Sequence, residues 1–226
     1  NFSHQNTLFG NLSRNRIEYM LLIFRRRYLQ SESQALTLSK LVKSKMPDQF
    51  LKPIFLYYTA QADQLLMDIM AECLSRLFRQ GFSEVGPQNL AIVIAKWVEE
   101  GKTTSHWSNS TIIREVQGLM ATLRDFGVLE GQVKKRITST YLPVESFSYI
   151  TFELSLQGLS GERLIHDQTW KLFFLDPDMV ERLLMNAHQE NLLHYSAAGS
   201  LSRIDFPADT LEGYADALIA RSTKFA

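Results

Sequence analysis

Thr111, Arg114 and Gln117 stand at three-residue steps in WSNSTIIREVQGLMATLRDFGVLEG, residues 107–131, and Lys134, Lys135 and Arg136 follow shortly after. A hydroxyl, a guanidinium and a carboxamide in that order are side chains that hydrogen-bond base edges in a major groove, and a short basic run suits phosphates. The element that would hold them is a helix. Ser108 or Asn109 can cap it, and Gly127 supplies a left-handed stop. Ile112, Val116, Met120 and Leu123, with Ile113 and Leu119 beside them, make its buried face. Ser110 and Gly118 join the three polar residues on the wet side. The segment reads as the second helix and wing of a winged helix-turn-helix. The same pattern also fits an amphipathic helix docked on a helical core.

The first helix of that pair would be Gln88–Glu100, with Leu90, Ile94, Trp97 and Val98 inward and Gly101 as its stop. Its connection to Ser108 is longer than the usual three or four residues. A second unit resembles the first in layout. Asp176 caps and Pro177 opens a helix through Val180, Leu183, Leu184, Ala187 and His188 to Leu192. A hairpin follows: Tyr195 to Ala198, a turn at Gly199-Ser200, then Leu201 to Phe206 with Leu201 and Ile204 or Phe206 as its apolar positions. Arg182 and Gln189 face away from the Leu183-Leu184 stripe, and Arg203 lies on the hairpin. A third basic element is a helix from about Thr37 to Met46, with Leu38, Leu41 and Val42 on one side and Lys40, Lys43 and Lys45 elsewhere.

Other chemistry is poorly served. No phosphate-cradling glycine loop and no nucleophile elbow is present. The five histidines form no zinc pattern, and His188 and His194, six apart, share a helical face poorly. Asp176 and Asp178 are explained by capping and the helix dipole. The single cysteine, Cys73, sits in an apolar helical pattern and reads as a buried thiol, in keeping with a reducing cytoplasm. Trp107, Trp170 and Phe173-Phe174 could stack bases, but helical spacing favours a core role; Tyr141 is the better exposed aromatic. No enzyme, cofactor or metal is expected.

The chain has 226 residues, 45% of them hydrophobic, and a net charge of zero. It carries no apolar run of about eighteen residues, so no membrane span is expected. Charge is uneven. Residues 1–60 carry nine Lys or Arg against three acids, a balance of +6, and residues 61–226 carry −6. A local basic surface is what phosphate binding requires.

The expected class is mainly α: a helical bundle with two helix-turn-helix or winged-helix-like modules and short β-hairpin wings. Ser13 starts a helix through Ile17, Met20, Leu21, Phe24 and Tyr28, ending in Arg25, Arg26 and Arg27, where cations suit the helix dipole. Pro53–Tyr58 and Gln64–Phe78 add helical segments, closed by Gly81. Residues 143–158 and 164–175 are helical, and Asp209 with Glu212 makes a capping box for a last helix. Strand is confined to the two wings. The boundaries divide the chain into a basic helical part (1–82), a winged unit (83–142) and a C-terminal part with the second unit (143–226).

LFGNLSRNRIEYML near the start, the 107–131 segment, KKRITSTYLPVESFSYITFEL and SGERLIHDQTWKLFFLDPDMVERLLMNAHQENLLHYSAAGSLSRIDFP together resemble the BrxA family, from about Leu8 to Leu218. BrxA is the small core protein of the BREX bacteriophage-exclusion systems. The resemblance implies a monomeric, almost all-helical cytoplasmic protein that binds double-stranded DNA with little sequence preference. It also implies work beside a DNA methyltransferase and other BREX proteins, and supplies no agreed base-reading residue. Two alternatives stay open: an adaptor that holds BREX proteins through the same surfaces, and an RNA-binding antitermination-like factor.

Overall fold

The computed structural model describes residues 10, 12–82, 84–103, 105–131, 135–138, 141–199 and 201–222. It is 67% helical, with only small antiparallel sheets, which sets the class as mainly α. Helix α1, Arg14–Tyr28, carries its arginine triplet in the last turn. Helix α2, Glu32–Lys43, begins five residues before the expected Thr37 because the Ser31 hydroxyl accepts from the Gln34 N–H. It buries Leu38 and Leu41 but leaves Val42 49% exposed, since one residue beyond Leu41 is a 100° rotation off the buried face. Helix α3, Asp48–Ala62, is followed by α4 over residues 64–79. Within α4 the segment Gln64–Asp68 passes through a π-helical stretch, Ile69–Leu74, into Ser75–Arg79. Cys73 lies buried in that stretch, and burial pushes its thiol pKa up.

Strand β1, Glu84–Val85, forms in the loop read as a boundary, so strand is not confined to the wings. Helices α5, Pro87–Glu99, and α6, Asn109–Asp125, follow, then β2, Leu129–Glu130, and β3, Lys135–Ile137. The three strands form one antiparallel sheet in the order β1-β3-β2. Its hold on α6 comes from a local stop: Gly127 adopts φ +75°, and the Val128 N–H reaches back to the Leu123 carbonyl at 2.8 Å. That turn sends Val128 and Leu129 directly into the core, 0% and 1% exposed.

Helix α7, Val144–Leu156, is the central element and is buried on most of its surface. Its buried serine and threonine hydroxyls are tolerated because each finds a carbonyl. Ser146 donates to Phe50 at 2.9 Å, Ser148 to Val144 at 2.7 Å and Thr151 to Phe147 at 2.8 Å. A short helix α8, Glu162–Ile165, and a 3-10 turn, Gln168–Phe173, place Trp170 in the core with its indole N–H donating to Leu164 O at 2.7 Å. Trp170, Phe173 and Phe174 are therefore core side chains, not stacking platforms.

Helix α9, Pro177–Gln189, is capped by Asp176, which accepts from the Met179 N–H at 2.8 Å. It leads to the hairpin of β4, His194–Ala198, and β5, Leu201–Asp205. This second sheet has only those two strands. Leu201, read as an apolar position of the strand, is 77% exposed at the turn end of the hairpin. The last helix, α10, Leu211–Ser222, packs on α2 and α7. Its cap is Thr210 and not Asp209: the Thr210 hydroxyl accepts from the Gly213 N–H at 3.1 Å, and the helix begins one residue later than the expected box allows.

Candidate nucleic-acid interface

Helix α6 is held by a cluster of hydroxyls at its start. Ser108 Oγ accepts from the Thr111 N–H and lies 2.9 Å from Ser110 Oγ and 3.0 Å from Thr111 Oγ1. Thr111 is thus half-buried and engaged in capping. Ser110, Arg114 and Gln117 are exposed along one strip. Ile113 belongs to that strip as well, 55% exposed, although the spacing assigned it to the core. It lies one residue past Ile112, and the core takes only the narrower arc of Ile112, Val116, Leu119, Met120 and Leu123. Arg114 has Glu115 beside it at 3.8 Å, and Arg124 has Asp125 at 3.1 Å. Such exposed pairs are weak and leave the guanidiniums free to exchange partners.

On the wing, Lys134 lies outside the described residues. Lys135 is half-buried, with its ammonium bonded to the Gly131 carbonyl. Arg136 is exposed, and the register sets it opposite Glu84 on β1 and opposite Glu130 on β2. The wing cation therefore stands between two carboxylates on neighbouring strands, which lowers the local positive potential.

The other candidate cations sit on separate elements. Arg182 and Gln189 are exposed on α9. Arg203 is paired with Asp205 on its own strand, at 2.8 Å. Lys40 is tied to Asp216 of α10 at 2.8 Å, while Lys43 and Lys45 are exposed, Lys45 in the left-handed region at φ 57°. His188 and His194 do meet: their rings lie 4.9 Å apart, and His188 Nδ1 accepts from the Tyr195 N–H. The turn after α9 folds β4 back along the helix, an effect helical spacing cannot register. Among the described residues no group of three His, Cys, Asp or Glu could hold a metal ion.

Sequence reasoning missed a second surface on α6. Glu115, Gly118, Leu119 and Thr122 line a cleft of about 680 Å³ together with Tyr19 and Ile23 of α1. Gly118 therefore belongs to the cleft. The available signal was α1 itself, whose apolar residues spread over an arc too wide for one packing contact.

Fold and surface define a mainly helical protein with a small three-stranded sheet beside an open polar helix strip. The chain matches the BrxA family over residues 2–153, and it belongs to that family, a component of BREX systems. The family model ends within α7, so α8 to α10 and the second hairpin lie beyond the match. No curated protein and no solved structure gave a match. Among the described residues no helix is long and apolar enough to cross a membrane.

Proposed function

We propose that the chain is a non-enzymatic component of a BREX system that binds double-stranded DNA with little sequence preference. The observation that carries this reading is the exposed Ser110-Arg114-Gln117 strip on α6, set beside a sheet ordered β1-β3-β2. A strand before two helices, closing on the hairpin that follows them, is the layout of a winged helix-turn-helix, whose second helix enters the major groove. Residues 83–142 are the module in this reading. Membership of a phage-defence family supports a nucleic-acid target and association with other BREX proteins, a DNA methyltransferase included.

With Arg136 and Arg203 flanked by carboxylates, phosphate contacts are few and affinity is modest. A protein making six to ten phosphate contacts loses roughly 10³–10⁵-fold in affinity between 50 and 200 mM salt. This chain is expected at or below the lower figure. The test is titration of a random-sequence duplex of about 30 base pairs at several salt concentrations, with the Arg114→Ala/Gln117→Ala variant alongside. Weaker binding with a flatter salt slope in the variant supports the reading. Unchanged binding, or tighter binding to an RNA hairpin than to duplex DNA, overturns it.

A further inference from the structure

Ile113 is the only large apolar side chain of α6 left exposed, at 55%. Among the described residues it belongs neither to the core nor to the half-buried apolar groups packed against the core. A β-branched residue on an open helix face lowers helix stability relative to alanine or an unbranched polar residue. The fold gains nothing from isoleucine at this position. A lone apolar residue on a surface is ordinary. What gives this one meaning is the company it keeps.

Ile113 follows Ser110 by three residues and precedes Gln117 by four, so the three share one face of α6, with Arg114 beside them. All four are exposed, and the Gln117 carboxamide has no hydrogen bond among the described residues. The group lies in the first half of α6, the part of a recognition helix that meets base edges. A protein partner would find there one isoleucine among Ser110, Arg114 and Gln117, without the contiguous apolar patch on which such an interface is centred.

Base pairs in the major groove display hydrogen-bond donors and acceptors and one apolar group, the C5 methyl of thymine. An aliphatic side chain carried into the groove among polar neighbours has that methyl as the apolar surface to bury against. Resting on the reading of α6 as a DNA-binding helix, we propose that Ile113 packs on the thymine methyl and gives the chain a bias toward A·T base pairs. Gln117, one turn further on, adds to the same bias, because a carboxamide makes a bidentate pair with adenine N6 and N7. Arg114 serves phosphate as well as guanine, so the contribution of Ile113 is isolated by changing the methyl alone. The bias is small. Burial of one methyl-sized group is worth a factor of about three to five in affinity, which leaves phosphate contacts as the main source of binding.

The test compares two labelled duplexes of about 30 base pairs, alternating adenine and thymine in one and adenine and deoxyuridine in the other, so that charge is identical and only the methyl differs. Fluorescence anisotropy with the full chain should show the thymine duplex bound about three- to fivefold more tightly. Ile113→Ala should bind the two duplexes alike. Ile92→Ala, which removes the 69% exposed isoleucine of α5, should keep the difference. Both substitutions are exposed and favour helix, and circular dichroism checks the fold of each variant. Equal binding of the two duplexes by the wild type overturns the proposal. A difference that survives in Ile113→Ala also overturns it, because the methyl then acts through duplex shape or another side chain. In either case DNA binding itself stands if Arg114→Ala/Gln117→Ala weakens both duplexes. Failure of the wild type to bind either duplex at low salt sinks the DNA reading, and this inference with it.

Discussion

The hydroxyls of Tyr58 on α3 and Tyr149 on α7 lie 3.0 Å apart in the centre of the molecule, their rings 6.5 Å apart and near perpendicular. Both side chains are buried, and burial pushes both phenols far above their ordinary range, so the pair stays neutral. The two hydroxyls are partners, and the Tyr58 hydroxyl also bonds the Glu153 carboxyl, so the loss falls hardest on Tyr149 when Tyr58 is removed. Tyr58→Phe and Tyr149→Phe should each cost about 1–2 kcal/mol in urea unfolding, and the double variant less than their sum. Additive losses would show that the two hydroxyls are satisfied elsewhere.

Glu153 approaches the same cluster. Burial raises its carboxyl pKa, opposed by hydrogen bonds from Tyr58 and Gln157. A folded-state pKa above the unfolded value means that the protonated form is the favoured one in the fold. The stability this group contributes is fully present below the ordinary carboxylate range and is lost as pH rises through the raised value. Glu153→Gln should therefore match the wild type in acid and exceed it at neutral pH, read as Tm across a pH series. A variant less stable than the wild type at neutral pH would reverse the sign.

Gly161 and Gly118 make opposite predictions for the same substitution. Gly161 sits at φ 53° and ψ −133°, and a Cβ there would lie 2.8 Å from the backbone oxygen of Ser202, where β5 crosses it. Gly161→Ala should cost about 1–3 kcal/mol and loosen the second hairpin. Gly118→Ala meets open space in a helix and should stabilise by roughly 0.5–1 kcal/mol. Thermal unfolding of the pair tests both.

Thr37 is fully buried on α2, and its hydroxyl has no hydrogen-bond partner among the described residues. Thr37→Val keeps the branched shape and removes the unsatisfied group. A gain of about 1 kcal/mol is expected from chemical denaturation, since a buried polar group without a partner costs about that much or more. A loss would place an unseen acceptor at that hydroxyl.

If the β2–β3 wing meets phosphate, the carboxylates opposite Arg136 hold affinity down. Glu84→Gln with Glu130→Gln should then tighten duplex binding and steepen the salt dependence by about one released ion. Arg203→Ala should change little, because Asp205 already engages that guanidinium. Equal binding with the glutamates removed would take the first wing out of the interface.

Much of the secondary structure was legible because its determinants are local. Helix α5 has the expected four buried residues, Leu90, Ile94, Trp97 and Val98, and its stop at Gly101 with φ +70°. Pattern and punctuation lie within one stretch of chain. The same holds for the Ser108 and Asp176 caps and for the second hairpin. Of the candidate site, the exposure of Ser110, Arg114 and Gln117 was legible. The state of the cations was not: Lys40 with Asp216 pairs residues far apart in sequence, and Arg136 meets Glu84 only through strand pairing.

The sequence by itself determined a mainly helical protein, its BrxA membership and where most helices begin and end, because caps, glycine stops and apolar periodicity act over a few residues. The tertiary structure alone decided which of several apolar arcs is covered. Val42, Ile113 and, on α1, Met20, Leu21 and Phe24 look like core residues by spacing, yet each is exposed. Burial is a property of two surfaces, and a sequence pattern describes only one of them.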